Sequence, residues 1–263
     1  KGLYEHAKNK NIDFLCSVFS KKAFEIMEKL GIKAWKFGAG EVFNDELLDL
    51  AIGTGKPLLL STGLSTWDDI DYQVEKIKKN GNELVLFQCV TAYPSKPNEI
   101  DISKIIEFKK KYDCFVGISD HSSTIYPALS AVALGASFVE VHVTLSKYMF
   151  GPDVKASVNL EQLKEIVEGT KFIYEMLQCH TDYSSRSNNR EELKKLFSKS
   201  IYYARDMKKG EIVMKEDIKA KKPNIAIDSK RIYSFYGKIL KKDVGYDEPL
   251  SEEDFESWKR KFV

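Results

Sequence analysis

The chain of 263 residues has only four cysteines and four histidines, and no apolar run in it approaches the roughly 18 residues a bilayer-spanning helix needs. Cys16, Cys89, Cys114 and Cys179 are scattered, three of them inside apolar runs. That pattern excludes a disulfide framework or a cysteine-based zinc cluster and reads as reduced core residues suited to the cytosol. An excess of one charge is also lacking: 41 basic against 39 acidic residues leave a net charge of +2, with no long block of one sign. Electrostatics therefore makes no case for nucleic acid as a partner. The lysine-rich stretches at 109–111, 219–222 and 241–242 read as solvated faces. The opening residues, Lys1-Gly2-Leu3-Tyr4-Glu5-His6, carry no signal-type apolar core. A cytoplasmic protein with no membrane partner is expected.

What is present is a core-forming composition, 43% hydrophobic and 12% aromatic, enough for one large domain and a small one. From Asp13 to Val143 short apolar runs alternate with amphipathic segments: 14–18, 34–37, 57–61, 84–89, 115–118 and 138–141. A spacing of roughly 20 to 30 residues suits one strand, one helix and two loops per unit. Six strands of a parallel α/β sheet are thus expected, as a barrel or an open doubly wound sheet. Polar and small residues follow each run, where such folds carry their sites.

A helix is predicted to start after Asn159, capped by that side chain with Gln162 at the third helical position. The stretch 180–189 is polar and nearly free of aliphatics, which marks a linker. Beyond it, 200–213 reads as a strand, a glycine turn and a second strand, opening a smaller domain of about 65 residues made mostly of short strands and turns.

Two histidines end apolar runs, His121 in Ser119-Asp120-His121 and His142 in Glu140-Val141-His142, 21 residues apart. Equivalent positions on successive strands suit a divalent-metal site, although strand-end histidines also serve as plain hydrogen-bonding groups. Two imidazoles are too few for a structural zinc site, so an open coordination sphere completed by water and substrate oxygens fits better. Glu41 and Glu140 stand at the ends of different strands, where either could orient a water or a histidine nitrogen. Glu140 shares a strand face with His142 by alternation. Lys36, inside an apolar run and followed by Gly38 and Gly40, asks for an anionic partner such as a phosphate or carboxylate. The plainer alternative is a lysine snorkelling to the surface. Ser61, Thr62, Gly63 and Ser119 add strand-end hydroxyls and a turn, weak evidence alone. Tyr93-Pro94 and Gly151-Pro152-Asp153 are loop-like.

In order, Phe14-Leu15-Cys16-Ser17-Val18-Phe19, Lys36-Phe37-Gly38-Ala39-Gly40-Glu41, Leu60-Ser61-Thr62-Gly63, Gln88-Cys89-Val90-Thr91-Ala92-Tyr93-Pro94, Gly117-Ile118-Ser119-Asp120-His121, Glu140-Val141-His142 and Gly151-Pro152-Asp153 resemble the sialic acid synthase family. The segment from Ser198 onward resembles the antifreeze-like (SAF) domain that ends those synthases. The resemblance implies a TIM (β/α)8 barrel over 1–179, six of its strands visible, a linker over 180–197 and a SAF domain over 198–263. It implies condensation of phosphoenolpyruvate with an N-acylmannosamine-type sugar, or its 6-phosphate, to a nine-carbon 2-keto acid and phosphate. It further implies His121 and His142 as ligands of Mn²⁺ or Mg²⁺, and Lys36, Ser17, Ser61, Thr91 and Ser119 as phosphoenolpyruvate contacts. Tyr93 and Asp153 become sugar contacts, and Glu41 and Glu140 the carboxylates near the metal and its water. A domain-swapped homodimer is implied, with 224–232 near the partner's site.

Departures accompany the likeness. Ala39 stands where many relatives have Ser, a loss of one anion donor costing about 1 to 3 kcal/mol if nothing replaces it. Gln88 stands where several bacterial members have His or Lys. Lys222 of Lys221-Lys222-Pro223 replaces the arginine that the family's SAF domain offers to the sugar, a point charge without the planar fork. The family's first two strands have no counterpart from Lys1 onward, so the chain is expected to be a fragment of a longer protein. Two other readings stay open: another metal-dependent phosphoenolpyruvate-using keto-acid synthase, and a truncated non-catalytic module that keeps the metal ligands by descent.

Overall fold

The computed structural model describes residues 1–180 and 190–256. The chain divides into two compact units, Lys1–His180 and Thr181–Val263. In the first, helices α1 (Gly2–Asn9) and α2 (Lys21–Leu30) precede β1 (Trp35–Phe37), α3 (Asp45–Ile52), β2 (Leu58–Ser61) and α4 (Trp67–Lys79). There follow β3 (Leu84–Cys89), α5 (Lys104–Tyr112), β4 (Phe115–Asp120), α6 (Tyr126–Ala133), β5 (Phe138–Val141) and α7 (Leu160–Leu177). The five strands pair in parallel in the order β1-β2-β3-β4-β5. A doubly wound sheet would reverse its strand order at a switch point, so the sequential order resolves the topology as the barrel type. The sixth expected strand is reduced to one bridge, Ser17 pairing in parallel with Lys36, which sets that segment beside β1.

Alternation gives each strand two faces. Trp35, Phe37, Leu58, Leu60, Leu84, Leu86, Val116 and Ile118 are buried together with the helices' apolar residues in the main core. On the opposite, inner face Leu59, Val85 and Phe87 form a smaller cluster with Ala34. Gly117 lies across from Phe87, where a Cβ would come within 2.7 Å of the Phe87 ring and 2.9 Å of Phe138 Cβ. Its lack of a side chain lets the Phe87 and Phe138 rings meet edge to face at 6.2 Å.

The helices start where local chemistry stops the preceding loop. Ser20 caps α2, and Gly31 closes it in the left-handed region at φ 76°. Thr66 and Asp69 form a capping box on α4. The helix predicted after Asn159 is α7: Asn159 Oδ1 accepts from Gln162 N at 2.8 Å, and Gln162 Oε1 accepts from Asn159 N at 3.0 Å. Among the described residues no helix is long and apolar enough to cross a membrane. All four cysteines are free.

Half of the expected linker, residues 181–189, lies outside the described residues. Of the rest, Arg190–Phe197 forms helix α8 within the second unit, where Asn224 N donates to the Lys195 carbonyl at 2.8 Å. Strand β6 (Ser200–Tyr203) pairs antiparallel with β7 (Ile218–Lys221). The second strand expected at 211–213 is reduced to one bridge, between Ile212 and Ile239, and β6 takes β7 as its partner instead. That core gathers Ile201, Tyr203, Met207, Val213, Phe235 and Leu240 with other apolar residues from loops.

Candidate active site at the strand ends

The inner face changes character along the strands. Apolar at its base, it ends in Lys36, Ser61, Cys89, Ser119 and Glu140, one from each of the five strands. Register brings them side by side: Cys89 pairs with Ser119, and Ser119 with Glu140. Lys36 is 6% exposed, and its Nζ donates to Ser61 Oγ at 2.7 Å and to the Phe37 carbonyl at 3.1 Å. Its ammonium lies 3.5 Å from Glu140 Oε1 and 5.3 Å from the centre of the Phe87 ring. Ser119 Oγ donates to the same Glu140 oxygen at 2.7 Å.

The two histidines share this face one step further along the chain. Their ring centres are 5.2 Å apart, and Tyr93 contacts both, tilted against His121 at 4.2 Å and edge-on to His142 at 5.7 Å. His121 is buried, and its Nδ1 contacts the Val90 carbonyl at 2.7 Å. A donor role for Nδ1 there leaves Nε2 with a lone pair for another partner. Burial holds the His121 imidazole below its ordinary value, which favours the neutral, ligating form. His142 Nδ1 stands 3.8 Å from Asp153 Oδ2.

The neighbouring loops are pinned by their own hydrogen bonds. Asp120 accepts from Ser122 N at 3.0 Å and Ser122 Oγ at 2.8 Å, and burial holds its carboxyl above the usual range. Ser95 N donates to the His121 carbonyl at 3.1 Å. A Cβ on Gly63 would overlap the Thr91 hydroxyl and come within 3.1 Å of Cys89 Sγ, so the loop after β2 closes on the one after β3 only with glycine there.

Of the expected site residues, Lys36, Ser61, Ser119 and Glu140 form one bonded cluster, and His121, His142, Tyr93 and Asp153 a second beside it on the same face. Thr91 sits against Gly63, and Ser17 flanks Lys36 through its backbone bridge. Glu41 starts a short 3-10 turn, accepting from Asn44 Nδ2 at 3.1 Å. Among the described residues no hydrogen bond or ion pair joins it to Lys36 or the histidines. Lys222 belongs to the second unit, exposed, with its Nζ 5.5 Å from the Phe197 ring centre. Three contributors were not singled out as site residues: Cys89, Phe87 and the Val90 carbonyl. Cys89 had read as a core thiol; it is half-buried at the strand end, and burial pushes its thiol up. The period-two parity it shares with Phe87 was the available signal.

Among the described residues no three or more His, Cys, Asp or Glu side chains are grouped as a metal cage. A cation held by His121 and His142 would thus take its remaining ligands from water or substrate. The free Nε2 of His121 and the spacing of the two rings fit that arrangement.

The NeuB family model matches residues 1–183, and the SAF domain model residues 198–256. The N,N'-diacetyllegionaminic acid synthase of Campylobacter jejuni is 33% identical over 255 residues, covering 96% of this chain and 76% of that protein. A pseudaminic acid synthase of the same species is 29% identical over 257 residues, covering 96% and 73%. The crystal structure of an N-acetylneuraminic acid (sialic acid) synthetase from Leptospira borgpetersenii is 30% identical with a TM-score of 0.67, over 73% of this chain and 67% of that one. A match that runs from the first residue past α7 and resumes in the second unit is decisive: the chain belongs to the NeuB family of sialic acid synthases, transferases that form a carbon–carbon bond.

Proposed function

We propose that this chain condenses phosphoenolpyruvate with the open-chain form of an N-acylmannosamine-type sugar, or its 6-phosphate, giving a nine-carbon 2-keto acid and free phosphate. The observation that carries the reading is the buried Lys36 ammonium, flanked by Ser61 and Ser119 and set beside the histidine pair. A buried cation with hydroxyl donors around it is a receptor for a small dianion. In this reading Lys36, Ser61 and Ser119 bind phosphoenolpyruvate, with Ser17 and Thr91 at the rim. Tyr93 and Asp153 orient the sugar so that its aldehyde carbon meets carbon 3 of phosphoenolpyruvate.

The π pair between carbons 2 and 3 of phosphoenolpyruvate forms the new bond as the aldehyde C=O π pair moves onto its oxygen. Water then adds at carbon 2, a carboxylate (Glu41 or Glu140) takes its proton and passes it to the former aldehyde oxygen, and the bond from carbon 2 to the phosphate oxygen breaks as the ketone forms, the proton of the added hydroxyl leaving with phosphate. Mn²⁺ or Mg²⁺ held by His121 and His142 would supply Lewis-acid polarisation of the aldehyde oxygen. His121, fixed by the Val90 carbonyl, keeps its ring oriented for that task. The barrel domain in this reading is 1–179 and the SAF domain 198–263. The second domain carries Lys222 and the 224–232 segment to the partner's site in a domain-swapped, cytoplasmic homodimer. Light scattering at micromolar concentration should then give a dimer; a monomer would count against the swap.

The deciding experiment follows phosphate release from phosphoenolpyruvate with Mn²⁺, on the full natural protein, across N-acylmannosamines, their 6-phosphates and 2,4-diacetamido hexoses. Release that needs a sugar and disappears in His121→Ala/His142→Ala supports the reading and names the substrate. No release with any sugar overturns it.

A further inference from the structure

Lys36 is the one lysine buried among the described residues, and a buried ammonium requires a counter-charge. The chain supplies it from within. Glu140 Oε1 lies 3.5 Å from Lys36 Nζ and accepts the Ser119 hydroxyl at 2.7 Å, so the cation and one of the donors assigned above to phosphoenolpyruvate already hold a carboxylate. The two partners differ in depth: the Lys36 side chain is 7% exposed, that of Glu140 42%. Glu140 thus reaches inward from a half-open position on β5, and withdrawing it costs far less than moving Lys36.

We propose that Glu140 is a placeholder anion, occupying the Lys36–Ser119 site in the free protein and yielding it to the incoming phosphorylated carboxylate. This rests on the reading of Lys36 as the phosphoenolpyruvate site. While Glu140 is in place, Lys36 and Ser119 stay oriented and the buried charge stays neutralised. A ligand with too little negative charge does not dislodge the carboxylate, so the exchange discriminates for multiply charged anions. Once displaced, the carboxylate remains on the strand face it shares with His142, two residues away, free to take a proton from water.

The test is calorimetric titration of the full natural protein with phosphoenolpyruvate and, separately, inorganic phosphate, together with steady-state kinetics. Glu140→Gln keeps the shape and removes the competing charge. It should lower the phosphoenolpyruvate Kd about tenfold, the effect of removing an occupant present in roughly nine molecules of ten, while kcat falls. Glu46→Gln, which removes an exposed carboxylate of α3, should leave Kd within about twofold. An unchanged or weaker affinity in Glu140→Gln overturns the proposal, as does an equal gain in Glu46→Gln, which would mark a general charge effect. Lys36→Met separates the two levels: intact phosphoenolpyruvate binding there overturns the reading of the site itself, and the placeholder with it. A crystal structure of the unaltered protein with phosphoenolpyruvate gives a second measure. Glu140 should stand beyond 4 Å, the contact limit of an ion pair, from Lys36 Nζ; a retained contact overturns the exchange.

Discussion

The two faces of one sheet divide the labour. On the outer face the parallel strands present Leu58, Leu60, Leu84, Leu86, Val116 and Ile118, all buried against helices from end to end. On the inner face the same strands pass from Leu59, Val85 and Phe87 to Lys36, Ser61, Cys89, Ser119 and Glu140. The outer face supplies stability over its whole length. The inner face spends its far end on polar groups that stabilise little and satisfy one another through cross-strand bonds. A residue two positions along a strand can therefore change from packing to chemistry while its neighbour on the other face stays in the core.

Substitutions chosen from the two faces should separate these roles. Leu86→Ala, on the outer face, is expected to cost about 2 to 5 kcal/mol in urea unfolding, from lost burial plus the cavity left behind. It should leave the substrate affinity of the folded fraction near its original value. Ser61→Ala, on the inner face, is expected to do the reverse. It removes the hydroxyl that accepts from the buried Lys36 ammonium at 2.7 Å and should lower kcat/KM about tenfold, with about 1.5 kcal/mol lost in unfolding. A Ser61→Ala protein that unfolds as easily as Leu86→Ala would erase the distinction.

The second unit offers a smaller contrast, since its core places a polar pair where the outer sheet face places leucines. Tyr203 is fully buried, and its hydroxyl donates to Asp254 Oδ2 at 3.0 Å. Tyr203→Phe should cost about 1 kcal/mol, measured on the same urea curves. Burial, and then the Asp254 carboxylate, hold the Tyr203 phenol above its ordinary 10.0. The stability tied to this phenol is therefore full below pH 10 and is lost as the pH rises beyond it, when the unfolded chain's tyrosine ionises first. Tyr203→Phe should flatten that alkaline loss, and an unchanged alkaline slope would assign it to other groups.

Much of the barrel unit was legible in one dimension. Strand runs, the Asn159–Gln162 cap and the strand-end positions of Lys36, His121 and His142 follow from side-chain periodicity and short-range hydrogen bonding, which depend on near neighbours in the chain. Other features were not. The segment at 14–18 satisfies the strand pattern and yet keeps a single bridge, at Ser17, because a strand is completed by what lies beside it. At 211–213 the local pattern is again that of a strand, but β6 finds its partner at Ile218–Lys221. Glu41 and Glu140 looked alike as strand-end carboxylates, and tertiary structure parted them: register sets Glu140 against Ser119 and Lys36, whereas Glu41 turns into a 3-10 loop with Asn44.

The sequence by itself determined the alternation of strands and helices, the helix caps, the family and the residues available for chemistry. All of these are written in local pattern and in ordered motifs. Only the tertiary structure decided that Glu140 is the counter-ion of Lys36 and that Tyr93 contacts both histidines. Those relations join residues 28 to 104 positions apart, and they exist only once parallel register and the curl of the sheet bring the strand ends together.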